Sequence, residues 1–266
     1  MTKQMRKRKY TFAVLPPVDK KLLQEFRENA DEIYPAKVVP CDDMRLEIGY
    51  GLIPLVEEKL KYNLQARIRD IRRQFVKEYG FQFPTIRILD NQELNENEYR
   101  FYIKGKKAGG YKIPKNKYIC LTWNWEKNKD VNEIQGKEIK DPVFGVPAFL
   151  ISKSNVEQYF NNGHTIADAP CIIATHISKL IKSNFAEIFT YNETKNVLSL
   201  VKKKYPALLT DVLNFYKVTE INEILKNILR EKKSIARIEK ILEILINNNE
   251  IKDKGKLMKI IFKGIK

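Results

Sequence analysis

Asp141-Pro-Val-Phe-Gly-Val-Pro-Ala148 is a turn packed with constraint. Pro142 and Pro147 each fix φ and push their predecessors, Asp141 and Val146, toward extended backbone. Gly145 permits a bend that other residues resist. Phe144 therefore sits on a rigid, tightly bent support, where an aromatic is either a core plug or a binding anchor. Downstream, Ile172-Ile-Ala-Thr-His-Ile-Ser178 belongs to the most apolar helix of the chain.

Working outward from this pair of segments, the front of the chain mixes strands and helices. Leu46–Pro54 is a short extended run with two glycines. Leu60, Leu64, Ile68, Ile71, Phe75 and Tyr79 recur at helical spacing, and Gly80 stops the helix. Thr85–Leu89, Tyr99–Lys104 and Tyr118–Trp123 read as strands, the second by its alternation. Gly105 and Gly109-Gly110 read as a hairpin turn, since they lack the Lys-Ser/Thr of a phosphate-cradling loop. Asn124–Lys140 is polar and reads as a surface loop. Phe149–Ile151 reads as a buried strand. Ser154 and Glu157 have capping-box spacing for a short helix ending at Gly163. Pro170 opens the next helix, whose stripe runs from Ile173 to Phe189.

From Val197 onward the pattern is helical throughout. Four stripes follow: Val197, Leu200, Val201 and Tyr205; Leu208, Leu209, Val212 and Leu213; Ile221, Ile224, Leu225, Ile228 and Leu229; and Ile235 to Ile246 with Ser234 as N-cap. Residues 1–44 read as a basic tail or linker with a short helix near Lys20–Asn29, and 251–266 as a Lys-rich tail. The fold class is α+β and multi-subdomain, with a mixed α/β front half and an all-helical back half.

Composition narrows function by exclusion. With 43% hydrophobic and 31% charged residues, the 266-residue chain reads as soluble and globular. No apolar run is long enough to cross a bilayer, and the start is too short and too broken by Pro16 and Pro17 for a signal peptide. Cys41, Cys120 and Cys171 form no close pair, so neither a disulfide framework nor a zinc site is expected, and a reducing compartment fits. The formal net charge of +16 is spread along the chain rather than gathered on one motif. His164 and His176 read as structural. No nucleophile elbow is present, and the paired acids Asp42-Asp43 and Glu57-Glu58 read as solvated. No catalytic residue, cofactor or metal is expected. A nucleic-acid reading would use the last helix pair, with Arg237 and Lys240 on its second member, but that helix is otherwise Ile-rich.

Several motifs in order carry a family resemblance. They are Leu46-Glu-Ile-Gly-Tyr-Gly-Leu-Ile-Pro-Leu-Val56, Arg67-Ile-Arg-Asp-Ile-Arg-Arg-Gln-Phe75, and Asn97-Glu-Tyr-Arg100 with Ile103-Lys-Gly105. Asp141–Ala148, Ala174-Thr-His-Ile-Ser178, Tyr205-Pro-Ala-Leu208, Leu229-Arg-Glu231 with Ser234-Ile235, and Ile241-Leu-Glu243 follow at compatible spacing. Together, from about 45 to 246, they resemble the cytoplasmic domain of the type III export-gate family, the large export-gate membrane protein of flagella and virulence injectisomes. The Tyr-Pro-Ala-Leu and Leu-Arg-Glu pieces resemble the flagellar branch.

The resemblance implies a discontinuous α/β subdomain one at 45–119 and 169–188, a small α/β subdomain two at 120–168, and a helical subdomain three at 189–250. It leaves the family's membrane half and fourth subdomain without counterpart. It implies a non-enzymatic docking platform for protein secretion at the cytoplasmic face of the bacterial plasma membrane. Expected partners are export chaperones loaded with cargo, the export ATPase complex and its accessory proteins, other gate subunits, and further copies in a ring built mainly through subdomain three. No nucleic acid is expected. The pocket positions matching the family's are Asp141, Phe144 and Thr175. Alternatives are a nucleic-acid-binding protein or a truncated gate remnant without activity.

Overall fold

A computed structural model describes residues 42–57, 63–122 and 134–265. The chain divides into two units, Met1–Pro40 and Cys41–Lys266, and every element below belongs to the second. The expected helix near Lys20–Asn29 lies outside the described residues, as does 1–44 apart from its last three. Met44 is not linker but the first residue of a strand.

Two four-stranded sheets form the front half. The first runs β2-β1-β3-β4, from β1 (Met44–Ile48), β2 (Ile86–Asp90), β3 (Glu98–Ile103) and β4 (Lys106–Lys112). β1 pairs parallel with β2 and antiparallel with β3. Side chains alternate across a strand, so Met44, Leu46 and Ile48 share one face. Register sets them opposite Ile103, Phe101 and Tyr99, and all six are buried. The other face holds Arg45, ion-paired to Glu47 at 2.9 Å and stacked over Tyr102.

A 3-10 turn, Tyr50–Leu55, follows β1, and α1 (Leu64–Tyr79) returns the chain to β2. Asn63 caps α1 by accepting from the Ala66 N–H at 2.8 Å, and Gly80 ends it in the left-handed conformation, φ 82°. The apolar face of α1 meets an aromatic cluster. Phe75 contacts Phe83 at 5.0 Å and Tyr79 contacts Phe185 at 4.7 Å between ring centroids, both edge-on. That geometry suits the ring quadrupoles and adds about 1 kcal/mol per pair beyond burial.

The second sheet runs β6-β7-β5-β8, all antiparallel, from β5 (Lys117–Leu121), β6 (Lys137–Lys140), β7 (Pro147–Ser152) and β8 (Thr165–Ala167). α2 (Val156–Asn161) lies between β7 and β8. α3 (Ala169–Ser183) follows β8 and packs against α1. Its N-cap is Asp168, accepting from the Cys171 N–H at 2.8 Å, and the same carboxylate is ion-paired to Arg67 of α1 at 3.0 Å.

The back half is helical: α4 (Phe185–Ile188), α5 (Tyr191–Lys204), α6 (Pro206–Phe215), α7 (Val218–Arg230), α8 (Ile238–Asn247) and α9 (Lys254–Gly264). Ile221, Leu225, Ile228 and Leu229 form one fully buried stripe on α7. Thr194 of α5 donates to Asn222 of α7 at 2.9 Å, a satisfied buried polar pair between the two helices. The core of the first sheet and that of the helices form one continuous cluster. Ile235 closes the seam: it is buried and donates its N–H to the Tyr79 carbonyl at 2.9 Å.

Several expectations need correcting. Residues 254–264 are not a tail: α9 buries Leu257 and Ile261 in the core while its lysines stay outside. The hairpin turn is confined to Lys104-Gly105, and Gly109 and Gly110 lie inside β4. A Cβ on Gly109 would stand 2.8 Å from a Leu180 methyl, so α3 packs closely on the sheet and that side chain would have to shift to admit one. The polar stretch before Asp141 contains an edge strand, β6, while 123–133 lie outside the described residues. Ser154 caps nothing; its hydroxyl bonds Ser152 and Asn155 within a 3-10 turn. The capping box instead joins Thr190 and Glu193 at α5. Ser234 holds the Ala236 N–H at 3.1 Å ahead of α8, which begins only at Ile238. Leu200 is 67% exposed, because it falls off the Val197–Val201 face. Among the described residues no helix is long and apolar enough to cross a membrane.

Candidate functional site

The Asp141 turn joins β6 to β7 and is closed four times. Asp141 N–H donates to the Val146 carbonyl at 2.8 Å, and Gly145 N–H to the Asp141 carbonyl at 2.9 Å. The Asp141 carboxylate accepts from the Val143 N–H at 3.0 Å and from the Phe144 N–H at 2.5 Å. Gly145 supplies the left-handed step, φ 74°. The turn thus sorts its residues by depth. Asp141 is 5% exposed and bonds its own loop. Val143, 3% exposed, is the plug, packed with Ile119, Leu121, Ala148, Ala167 and Ile172. Phe144 is left 48% exposed on top.

Thr175 lies on α3 within a stripe spaced by four, Cys171, Thr175 and Lys179, which shares one helix face. Cys171 packs at the edge of the Val143 cluster, and its Sγ is 3.9 Å from the Thr175 hydroxyl. At the far end, the Lys179 ammonium donates to the Val143 carbonyl and stands 5.9 Å from the centre of the Phe144 ring. The structure therefore brings Asp141 and Phe144 together in one turn and sets Thr175 on the stripe that faces it. Sequence reasoning missed Lys179. Its spacing of four from Thr175 was the signal, but only the fold shows that the stripe turns toward Phe144.

Beneath the turn lies a polar pair. Tyr99 of β3 and His176 of α3 are both buried, with the phenol oxygen 2.7 Å from Nδ1. Burial, and then the Lys179 charge, hold the imidazole below the usual histidine range against the pull of Asp141. Burial raises the Tyr99 phenol, with Tyr111 and Asp141 adding to it. Both shifts keep the imidazole and the phenol neutral, and the imidazole tautomer sets which of them donates. His164 is also buried, edge-on to Tyr159 at 6.0 Å. The Cys120 thiol is buried and pushed up to about 11. Among the described residues no group of three or more His, Cys, Asp or Glu is placed to hold a metal.

The last helix pair has a different character. Arg237 and Lys240 are exposed, but Glu243 shares that surface, and α8 spends Ile241, Leu242 and Leu245 on the core. A phosphate track wants one sign of charge along its length; this surface carries both.

Comparison with known proteins agrees with this architecture. The family model described as the FHIPEP family matches residues 5–264. The flagellar biosynthesis protein FlhA of Borreliella burgdorferi is 36% identical over 238 residues, 88% of this chain and 33% of that protein. The chain spans about a third of the length of the curated relatives it matches. Among solved structures, the Chlamydia pneumoniae CdsV protein superposes with a TM-score of 0.76 at 19% identity, over 86% of this chain and 67% of that one. Nonameric EPEC SctV-C superposes with a TM-score of 0.64 at 18% identity, over 85% and 66%. The family match runs well past Ile246 to take in α9, and with the α+β fold shared by these structures it gives one conclusion: the chain belongs to the FHIPEP family of type III export-gate proteins.

Proposed function

We propose that this chain is a non-enzymatic docking platform of a type III protein export gate, of the flagellar branch, that receives chaperone–cargo complexes at Asp141, Phe144 and Thr175. One observation carries the reading: Phe144 is half exposed on a turn that buries Asp141 and Val143 and is bonded through the Asp141 carboxylate to hold it there. A large side chain kept out of the core at the cost of a constrained backbone is ready to bind, because its ordering cost is met before the partner arrives. Thr175 supplies a hydroxyl on the α3 stripe that also carries Lys179. Asp141 is a positioning residue, since its carboxylate already serves the turn.

The same reading takes subdomain one as 45–119 and 169–188, subdomain two as 120–168 and a helical subdomain three as 189–250, with β5 (Lys117–Leu121) of the second sheet crossing the first boundary. The site lies where the turn of subdomain two meets α3 of subdomain one. The nonameric state of the EPEC relative supports a ring of copies. The platform would work at the inner face of the plasma membrane, beside the export ATPase complex and other gate subunits.

The test is binding of the purified chain to export chaperones of the organism that encodes it, free and loaded with filament-type cargo. Phe144→Ala should abolish binding while its melt matches the parent's. A folded parent that binds none of them, or a Phe144→Ala variant that binds equally well, would refute the reading.

A further inference from the structure

Lys179 and Lys140 are both exposed charges of this surface, and Lys179 is the one set over the Phe144 ring. An ammonium has three donors. The Val143 carbonyl takes one, and among the described residues no carboxylate lies within ion-pair distance of Lys179. Lys182, the next lysine on α3, is by contrast paired with Glu78 at 3.2 Å. The one carboxylate of the turn, Asp141, is buried and bonded to backbone N–H groups. The face presented to a partner is therefore a half-exposed aromatic ring beside an ammonium with donors to spare.

Resting on the docking reading above, the geometry points to Lys179 as a specificity determinant that selects partner surfaces carrying a carboxylate beside the apolar side chain that covers Phe144. The two halves reinforce each other. An apolar group laid on Phe144 removes water from the neighbouring ammonium, and an ion pair gains as the local dielectric falls. A partner that brings lysine or arginine to the same spot meets repulsion, so the cation rejects as well as attracts. The Val143 carbonyl fixes the ammonium in place, so little side-chain freedom is lost on binding.

The experiment is calorimetric titration of the whole chain with filament-type cargo loaded on its export chaperone, at low and physiological salt. It uses the parent, Phe144→Ala, Lys179→Gln, Lys179→Glu and Lys179→Arg. Lys179→Gln should weaken binding about fivefold, the upper range for a partly exposed pair, and Lys179→Glu further. Lys179→Arg should keep the parent's affinity. The loss in Lys179→Gln should shrink as salt rises, because rim charges act through a screened attraction. A lysine that only braced the turn would weaken binding equally at every salt concentration. Lys179→Gln and Lys179→Glu at parental affinity, or a loss independent of salt, with Phe144→Ala still abolishing binding, overturns this inference and leaves the docking site intact. No binding by the parent, or an inert Phe144→Ala, overturns both.

Discussion

Replacing Asp141 by alanine should loosen the turn that holds Phe144, by an amount the structure sets. The carboxylate accepts from two backbone N–H groups, Val143 at 3.0 Å and Phe144 at 2.5 Å. Val143 is buried, so its N–H loses its partner without gaining water, a cost of about 1–3 kcal/mol. Phe144 is half exposed, and water recovers part of its loss. The sum is about 2 kcal/mol, comparable with removal of a strong helix N-cap. For a chain of this size that lowers Tm by roughly 4–8 °C. If the turn opens locally before the rest unfolds, the loss appears as exchange of the Val143 and Phe144 amides about thirtyfold faster, with the amides of α7 unchanged. Asp141→Asn keeps an acceptor oxygen and should fall between the two. Hydrogen exchange resolved by residue, with a thermal melt beside it, is the assay. If Asp141→Ala melts within a degree of the parent and both amides stay protected, the carboxylate does not hold the turn, and the positioning role assigned to it fails.

Three further outcomes are expected. Because burial holds His176 below its unfolded value of about 6.5, the unfolded chain takes this proton first. Stability should therefore be intact above that pH and fall as pH drops through it; His176→Gln, which can still hydrogen-bond Tyr99, should lose less between pH 7 and pH 5, and equal pH slopes in urea unfolding would refute this. Gly80→Ala places a methyl 2.3 Å from the backbone nitrogen of Ala236 at a φ of 82°, so it should cost more than about 2 kcal/mol and speed exchange of the Ile235 amide; an unchanged melt would mean the seam yields freely. Ile261→Ala should cost about 2–5 kcal/mol, because the side chain is fully buried in the core; a loss below about 0.5 kcal/mol would mean that α9 is not docked.

Periodicity was a good guide wherever one face of an element is buried and the other is not. Ile68, Phe75 and Tyr79 on α1, Tyr99, Phe101 and Ile103 on β3, and the Ile221–Leu229 stripe of α7 were all legible for that reason. It failed at edges and ends. β6 has the polar sequence Lys-Glu-Ile-Lys, and β4 carries two glycines, because each strand has only one neighbour and little of it needs to be apolar. The lysines of α9 hid its helix, whose buried pair Leu257 and Ile261 is too short a pattern to stand out.

The Asp141 turn divides the two kinds of information most clearly. Sequence alone determined that it is rigid, because Pro142, Gly145 and Pro147 act on their own backbone and need no distant partner. It also determined that Phe144 stands on that rigid support. Whether the phenyl ring or the valine beside it enters the core was not decidable from local chemistry, since both are apolar. The tertiary structure sent Val143 inward against Ile172 and left Phe144 outside. It also turned Lys179, thirty-five residues beyond Phe144, onto the same surface. Local backbone preference fixes conformation within a few residues, but depth and neighbourhood depend on which faces of separate elements meet, and packing alone decides that.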